Sequence, residues 1–136
     1  MSPEISLEIP PRSPYVGVVR LAISALARTS GFTEEQVEDL KIAVSEACAN
    51  AVIAHEEAGS QDAVSVSYTD DGGSVVIEVG DRGQVDDDAA AQDEADSMGI
   101  SSRLVMSMAL VESLVDECEF LPREGGGTLT RLVISH

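Results

Sequence analysis

Polar and apolar positions alternate from the start of the chain. Residues 4–9, Glu-Ile-Ser-Leu-Glu-Ile, have the period of two that a half-buried strand requires, and Pro10-Pro11 ends the run. Ser13 before Pro14 reads as an N-cap with proline in the first turn, predicting a helix from about Pro14 to Thr29 that Gly31 closes. Thr33-Glu-Glu-Gln36 has the spacing of a capping box and opens a longer helix, from about Glu34 to Glu56. Beyond Gly59, Ala63–Tyr68 and Ser74–Val79 are β-rich runs joined by Asp70-Asp-Gly-Gly73, a hairpin sequence. The stretch from Gly80 to Ser97 holds Asp86-Asp-Asp88 and three successive alanines; it lacks periodicity and is expected to be a loop. A third helix fits Ser101 to about Val115. Glu117–Leu121 and Thr128–Ser135 then read as strands linked by Arg123-Glu-Gly-Gly-Gly127. This order predicts an α+β sandwich, a mixed but mainly antiparallel sheet with helices on one face. Neither a repeat nor an internal boundary interrupts it, so residues 1–136 are expected to form a single domain.

Composition narrows the classes. Hydrophobic residues make up 43% of the chain but aromatics only 3%, so the core has to be built from Val, Leu, Ile and Ala. No apolar run approaches the roughly 20 residues that span a bilayer. Met1 to Pro10 lacks the basic-then-apolar layout of a secretory signal, and a soluble, cytoplasmic protein is expected. The net charge of −17, from 25 acidic against 8 basic residues, repels phosphate backbones and anionic lipid. It therefore argues against direct nucleic-acid or membrane binding and favours a basic protein partner, although solubility alone accounts for it equally well. Cys48 and Cys118 sit among apolar neighbours without metal-ligand spacing and are expected to be buried core thiols in a reducing compartment.

The second helix carries the candidate chemistry. From Ile42 to Ala54 only Ser45, Glu46 and Asn50 are polar. Val37, Leu40, Val44, Ala47, Cys48 and Ala51 form one stripe that can pack on the sheet. Glu46 and Asn50, four residues apart, stack on a different face, flanked by Ile42 and Ile53. An amide oxygen there can bind Mg²⁺ carrying phosphate, and a carboxylate can take a proton or orient a hydroxyl. Taken alone, the pair fits a solvated i,i+4 pair at least as well. Further on, Val75-Val-Ile-Glu-Val-Gly-Asp81-Arg-Gly83 is a strand running into an Asp-x-Gly turn. An aspartate at such a turn can accept from an exocyclic amine, and the glycine lets backbone approach a flat ring. Met98-Gly99 precedes the third helix, whose free N–H groups suit phosphates, and Gly125-Gly-Gly-Thr128 begins the last strand.

In that order these segments resemble the GHKL ATPase superfamily, specifically the small anti-sigma-factor serine kinases of bacterial sporulation and stress-response switches. Glu46-Ala-Cys-Ala-Asn50-Ala-Val, preceded by Leu40-Lys-Ile-Ala-Val-Ser, is similar to the family's N-box, and Asp81-Arg-Gly83 to its G1 box. Ser113-Leu-Val-Asp-Glu-Cys-Glu followed by Gly126-Gly-Thr128 resembles the family's closing segments. The opening Ile9-Pro-Pro-Arg-Ser-Pro-Tyr-Val-Gly-Val-Val-Arg20 sets the chain apart from sensor histidine-kinase catalytic domains. The resemblance implies a Bergerat-type two-layer ATP fold using ATP and Mg²⁺. It assigns Glu46 to polarising a substrate serine, Asn50 to Mg²⁺, Asp81 to the adenine amine, Gly83 to making room for the ring, and Gly99 and Thr128 to further nucleotide contacts. It also implies a homodimer that holds a sigma factor and phosphorylates an anti-anti-sigma partner of the STAS-domain kind. Arg20 is implied to face a partner; a solvated helix charge is the equal alternative.

The sequence departs from the family's pattern at two points. Val85 stands where the G1 box has a second glycine, and Gly99-Ile-Ser-Ser102 replaces Gly-x-Gly-Leu. A Cβ at either place obstructs backbone approach to nucleotide. The leading expectation is an ATP-dependent serine kinase and anti-sigma factor; the alternative is a partner-switching binding module of the same fold without kinase activity, motivated by Val85 and Ser101. The ATP domain of a two-component kinase fits poorly, because His55 and His136 are the only histidines and neither lies on an upstream dimerisation helix.

Overall fold

The strand predicted at the start of the chain is β1, Glu4–Ile9, and it occupies one edge of a five-stranded sheet. The computed structural model describes residues 3–83 and 103–136. Only Leu7 and Ile9 of β1 turn toward the core, while Ile5 stays largely exposed. An edge strand alternates less cleanly because it has a neighbour on one side only.

The first helix begins differently from the sequence expectation. Ser13 is not a cap: Ser13–Tyr15 form a 3-10 turn, and the side chain at its N-cap, Arg12, makes no capping bond. Pro14 fixes φ without offering an N–H, which suits a tight lead-in turn closed by Tyr15 N–H on the Arg12 carbonyl at 3.1 Å. Helix α1 then runs Val16–Ser30 and ends at Gly31, whose φ of 90° is the left-handed conformation that favours glycine. The capping box forms as predicted: Thr33 and Gln36 exchange side-chain to backbone bonds of 3.2 and 3.0 Å, and α2 spans Glu34–Ala58.

The remaining strands are β2 (Val64–Asp70), β3 (Ser74–Gly80), β4 (Glu117–Pro122) and β5 (Thr128–Ser135). They lie in the order β1-β2-β3-β5-β4, and all four pairings are antiparallel. A third helix, α3, covers residues 103–114. Val64, Val66 and Tyr68 of β2, Val75, Ile77 and Val79 of β3, and Leu132 and Ile134 of β5 point to one face. There they meet Val19, Ile23 and Ala27 of α1 and the α2 stripe Val37, Leu40, Val44, Ala47, Cys48 and Ala51, all buried. The core is thus almost wholly aliphatic. Val111 anchors α3 to it.

Burial pushes the Cys48 thiol up to about 12. Cys118, on edge strand β4, is only partly enclosed rather than a core thiol, and burial pushes it up to about 11. Among the described residues no helix is long and apolar enough to cross a membrane.

Candidate functional site

The α2 stripe that faces the sheet leaves Glu46, Asn50 and Ala54 in line on another face, spaced by four residues. Glu46 and Asn50 are half-buried, and Ile42 at the near end is exposed. Their neighbour is α3. The Ser107 hydroxyl donates to Glu46 Oε2 at 2.7 Å and accepts from Asn50 Nδ2 at 2.9 Å. Arg103 Nη1 donates to Asn50 Oδ1 at 3.3 Å. A guanidinium only donates, so this contact fixes which end of the Asn50 amide faces it.

One turn beyond Asn50, α2 meets the end of β3. A Cβ at Gly83 would lie 2.6 Å from Ala54 Cβ, so glycine is required for the turn to pack against α2 at all. The adjacent His55 is fully buried, and its Nε2 accepts the Arg82 backbone N–H at 2.7 Å. The ring must then carry its proton on Nδ1, which has no partner among the described residues. The Asp81–Gly83 turn is therefore docked on the last turns of α2 by close packing and by one buried hydrogen bond.

Asp81 is buried. Its Oδ1 accepts Gly83 N–H at 3.0 Å and Thr128 N–H at 3.2 Å, and its own N–H donates to the Thr128 carbonyl at 2.9 Å. Oδ2 accepts no hydrogen bond among the described residues. Desolvation raises the Asp81 pKa, against the lowering effects of those two N–H groups, His55 and Arg123. Arg123 Nη1 donates to the Asp81 carbonyl at 3.0 Å, and Arg82 Nη1 donates to the carbonyls of Glu124 and Gly126. The β4–β5 turn is thereby clamped onto the β3 end. Gly127 shows how tight this is: its φ is 103° and a Cβ would fall 2.1 Å from the Asp81 carbonyl oxygen.

The two clusters share one helix face. Glu46 to Ala54 is eight residues, or about 12 Å of helical rise. One end offers a carboxylate and an amide, the other a buried carboxylate with an acceptor to spare. An elongated ligand with a cation-bearing anionic end and an amine-bearing flat end matches that layout, and a nucleoside triphosphate is such a ligand. Among the described residues no three His, Cys, Asp or Glu side chains are grouped to hold a metal alone. A divalent ion at Asn50 would have to complete its shell with waters or with oxygens of a bound phosphate.

Arg20 lies apart from both clusters. It is exposed on α1, and its Nε donates to Ser45 Oγ at 2.9 Å, tying α1 to α2. Gly99, Val85 and Ser101 lie outside the described residues. Sequence reasoning missed His55, Arg82, Arg103, Ser107 and Arg123. His55 had a signal, since it lies four residues beyond Ala51 on the buried stripe, where a polar ring needs a purpose. Ser107 had one too, lying four residues before Val111 on the inner face of α3.

A helix-covered antiparallel sheet, with an acid–amide pair on one helix and a buried aspartate at the end of a central strand, defines a histidine kinase-like ATPase domain. The model of that family, described as "Histidine kinase-like ATPase domain", matches residues 9–134. The chain is 33% identical over 135 residues to the serine-protein kinase RsbW of Bacillus pumilus, covering 89% of this chain and 80% of that one. It is 32% identical over 132 residues to the serine-protein kinase RsbW of Listeria monocytogenes, covering 92% and 83%. The chain belongs to the histidine kinase-like ATPase family, on its RsbW branch. A crystal structure of the RsbU and RsbW domains of Rv1364c from Mycobacterium tuberculosis shares the fold, with a TM-score of 0.69 at 23% identity. That match covers 98% of this chain, which spans 32% of the larger one.

Proposed function

We propose that this protein is an ATP-dependent protein serine kinase that also acts as an anti-sigma factor, sequestering a sigma factor and phosphorylating a STAS-domain anti-anti-sigma partner. One observation carries this reading. A single face of α2 presents Glu46, Asn50 and Ala54; the Asp81 turn packs on Ala54 through Gly83 and bonds His55 of the neighbouring buried stripe, so both clusters lie along the same helix. The RsbW relatives bear the name of serine-protein kinase, which supports the same class.

In this reading Mg-ATP, when bound, supplies the phosphoryl group and neutralises the charge that develops during transfer. Asp81 accepts the exocyclic amine of adenine on Oδ2, while Oδ1 keeps the turn and Thr128 in place. Asn50 offers Oδ1 to the metal. Glu46 orients the acceptor hydroxyl and takes its proton, so the protein's contribution is positioning and charge stabilisation. Gly99 is assigned to the phosphate end.

Partner binding is assigned to α1. Arg20 is exposed there, flanked by the exposed apolar side chains of Val18 and Leu21, which gives a mixed surface suited to a protein partner. We further assign a homodimer, a cytoplasmic location and a single domain over residues 1–136.

The test is transfer of label from γ-labelled ATP to a purified STAS-domain partner, alongside co-purification with candidate sigma factors. Transfer that depends on Mg²⁺ supports the kinase. Sigma or STAS binding that neither ATP, ADP nor chelator alters, without transfer, supports instead a binding module of the same fold.

A further inference from the structure

We propose that Ser107 is a built-in occupant of the acceptor site, holding Glu46 and Asn50 until nucleotide and an incoming serine displace it. The inference rests on the kinase reading above and adds a regulatory contact to that site. A serine hydroxyl donating to Glu46 at 2.7 Å is the contact the acceptor serine itself has to make, at the length of a charge-assisted bond. The same oxygen accepts from Asn50, and Arg103 faces the amide oxygen assigned to the metal. Both groups assigned to the transfer end, the Glu46 carboxylate and Asn50 Oδ1, are thus engaged from within the chain.

Ser30, the last residue of α1, bonds Tyr68 of the sheet; among the other described helix hydroxyls Ser107 differs in donating to a second helix. Ser24, Thr29, Ser45 and Ser113 also sit on helices, and each turns its hydroxyl to a carbonyl of its own helix. Ser107 instead bonds across to α2, from a buried position one turn before Val111 on the docking stripe of α3. An apolar residue there would satisfy packing. The hydroxyl matters because it matches the two polar groups of α2.

Loading therefore requires the 103–107 segment of α3 to give up these contacts. A metal at Asn50 competes with the Arg103 guanidinium, and an acceptor serine competes with Ser107 for one carboxylate. Regulation follows from that competition: anything that draws α3 off α2 primes the site.

The test compares wild-type protein, Ser107→Ala and Arg103→Gln by calorimetric titration with Mg-ATP and Mg-ADP, with thermal denaturation of each. Because the metal competes with Arg103 for Asn50 Oδ1, Mg-nucleotide binding should tighten several-fold in Arg103→Gln, whose position is exposed. Ser107→Ala frees the Glu46 carboxylate, so in transfer assays with the STAS-domain partner its KM for that partner should fall about tenfold, with a smaller gain in Mg-nucleotide affinity through Asn50. Metal-free ATP should show little of the gain, because the competition is at the metal and acceptor end. Ser113→Ala serves as a control and should match wild type. An unchanged or higher partner KM in Ser107→Ala, whatever its melting temperature, would make the hydroxyl a helix tie only and overturn the inference while leaving the kinase reading intact. If neither wild type nor either variant binds nucleotide, the kinase reading fails and this inference fails with it.

Discussion

Asp81 and Thr128 are locked together, although 47 positions separate them: the Asp81 N–H donates to the Thr128 carbonyl at 2.9 Å, and the Thr128 N–H donates to Asp81 Oδ1 at 3.2 Å. The pair extends the β3–β5 ladder by one step past Gly80 and Leu129. It fixes Oδ1 to backbone, while Oδ2 accepts no hydrogen bond among the described residues.

Asp81→Asn tells the two oxygens apart. Asn Oδ1 still accepts both N–H groups, but an NH₂ replaces Oδ2 and opposes an amine. Nucleotide affinity should fall about tenfold or more, the worth of one hydrogen bond to a charged group. Stability at neutral pH should hold or rise. Burial lifts the Asp81 pKa above its unfolded value, so the folded state loses stability as pH rises from the ordinary carboxylate range through that higher pKa, and the amide abolishes the loss. Urea denaturation across that pH range, with nucleotide titration at one pH, checks both halves.

Glu46→Gln keeps an acceptor for a hydroxyl but cannot take a proton. Phosphoryl transfer should drop by about 10²–10⁴-fold, the usual contribution of a positioned general base. Mg-ATP affinity should stay within a few-fold of wild type. Single-turnover transfer measured beside equilibrium binding distinguishes the two, and an equal loss in both counts against the assignment.

His55→Ala removes the acceptor of a buried N–H and leaves a cavity under the Asp81 turn. The expected destabilisation is about 2–4 kcal/mol, read from urea midpoints, with weaker nucleotide binding as the turn loosens. A loss well under 1 kcal/mol would mean that the turn is held by Ala54 packing and the two arginines alone.

The chain end gives a pH test. His136 bonds Asp70 at 3.0 Å, and this contact first, then Ser30 and the Gly72 N–H, hold Asp70 at about 2 against its ordinary 3.8. The stability tied to that depression is present above pH 4 and is lost as pH falls through 2. His136→Ala should show a shallower loss over that window in acid-denaturation curves.

The helices and strands were legible because their signals are local. The capping box at Thr33, the left-handed glycines and the α2 stripe all act within a few residues, and each element boundary among the described residues lies within about two positions of its prediction. The N-terminus of α1 was misread because Ser13-Pro14 also suits a 3-10 turn, and sequence spacing does not distinguish the two. Glu46, Asn50 and Asp81 stand out as candidates by residue type. The contact of α3 with Glu46 and Asn50 does not, because Ser107 lies 61 positions from Glu46 and only the docking of two helices brings the pair together. Gly83 likewise read as space for a ring, whereas on the α2 side that space belongs to Ala54.

We propose the Glu46–Asn50 pair and the Asp81 turn as the two ends of one nucleotide site. Calorimetric titration of wild-type protein and Asn50→Ala with ATP, with and without Mg²⁺, tests it most directly. One ATP should bind per chain, tighter with Mg²⁺ in the wild type, and binding should persist without its Mg²⁺ dependence in Asn50→Ala. No binding by the wild type, or the same Mg²⁺ dependence in both proteins, would contradict it.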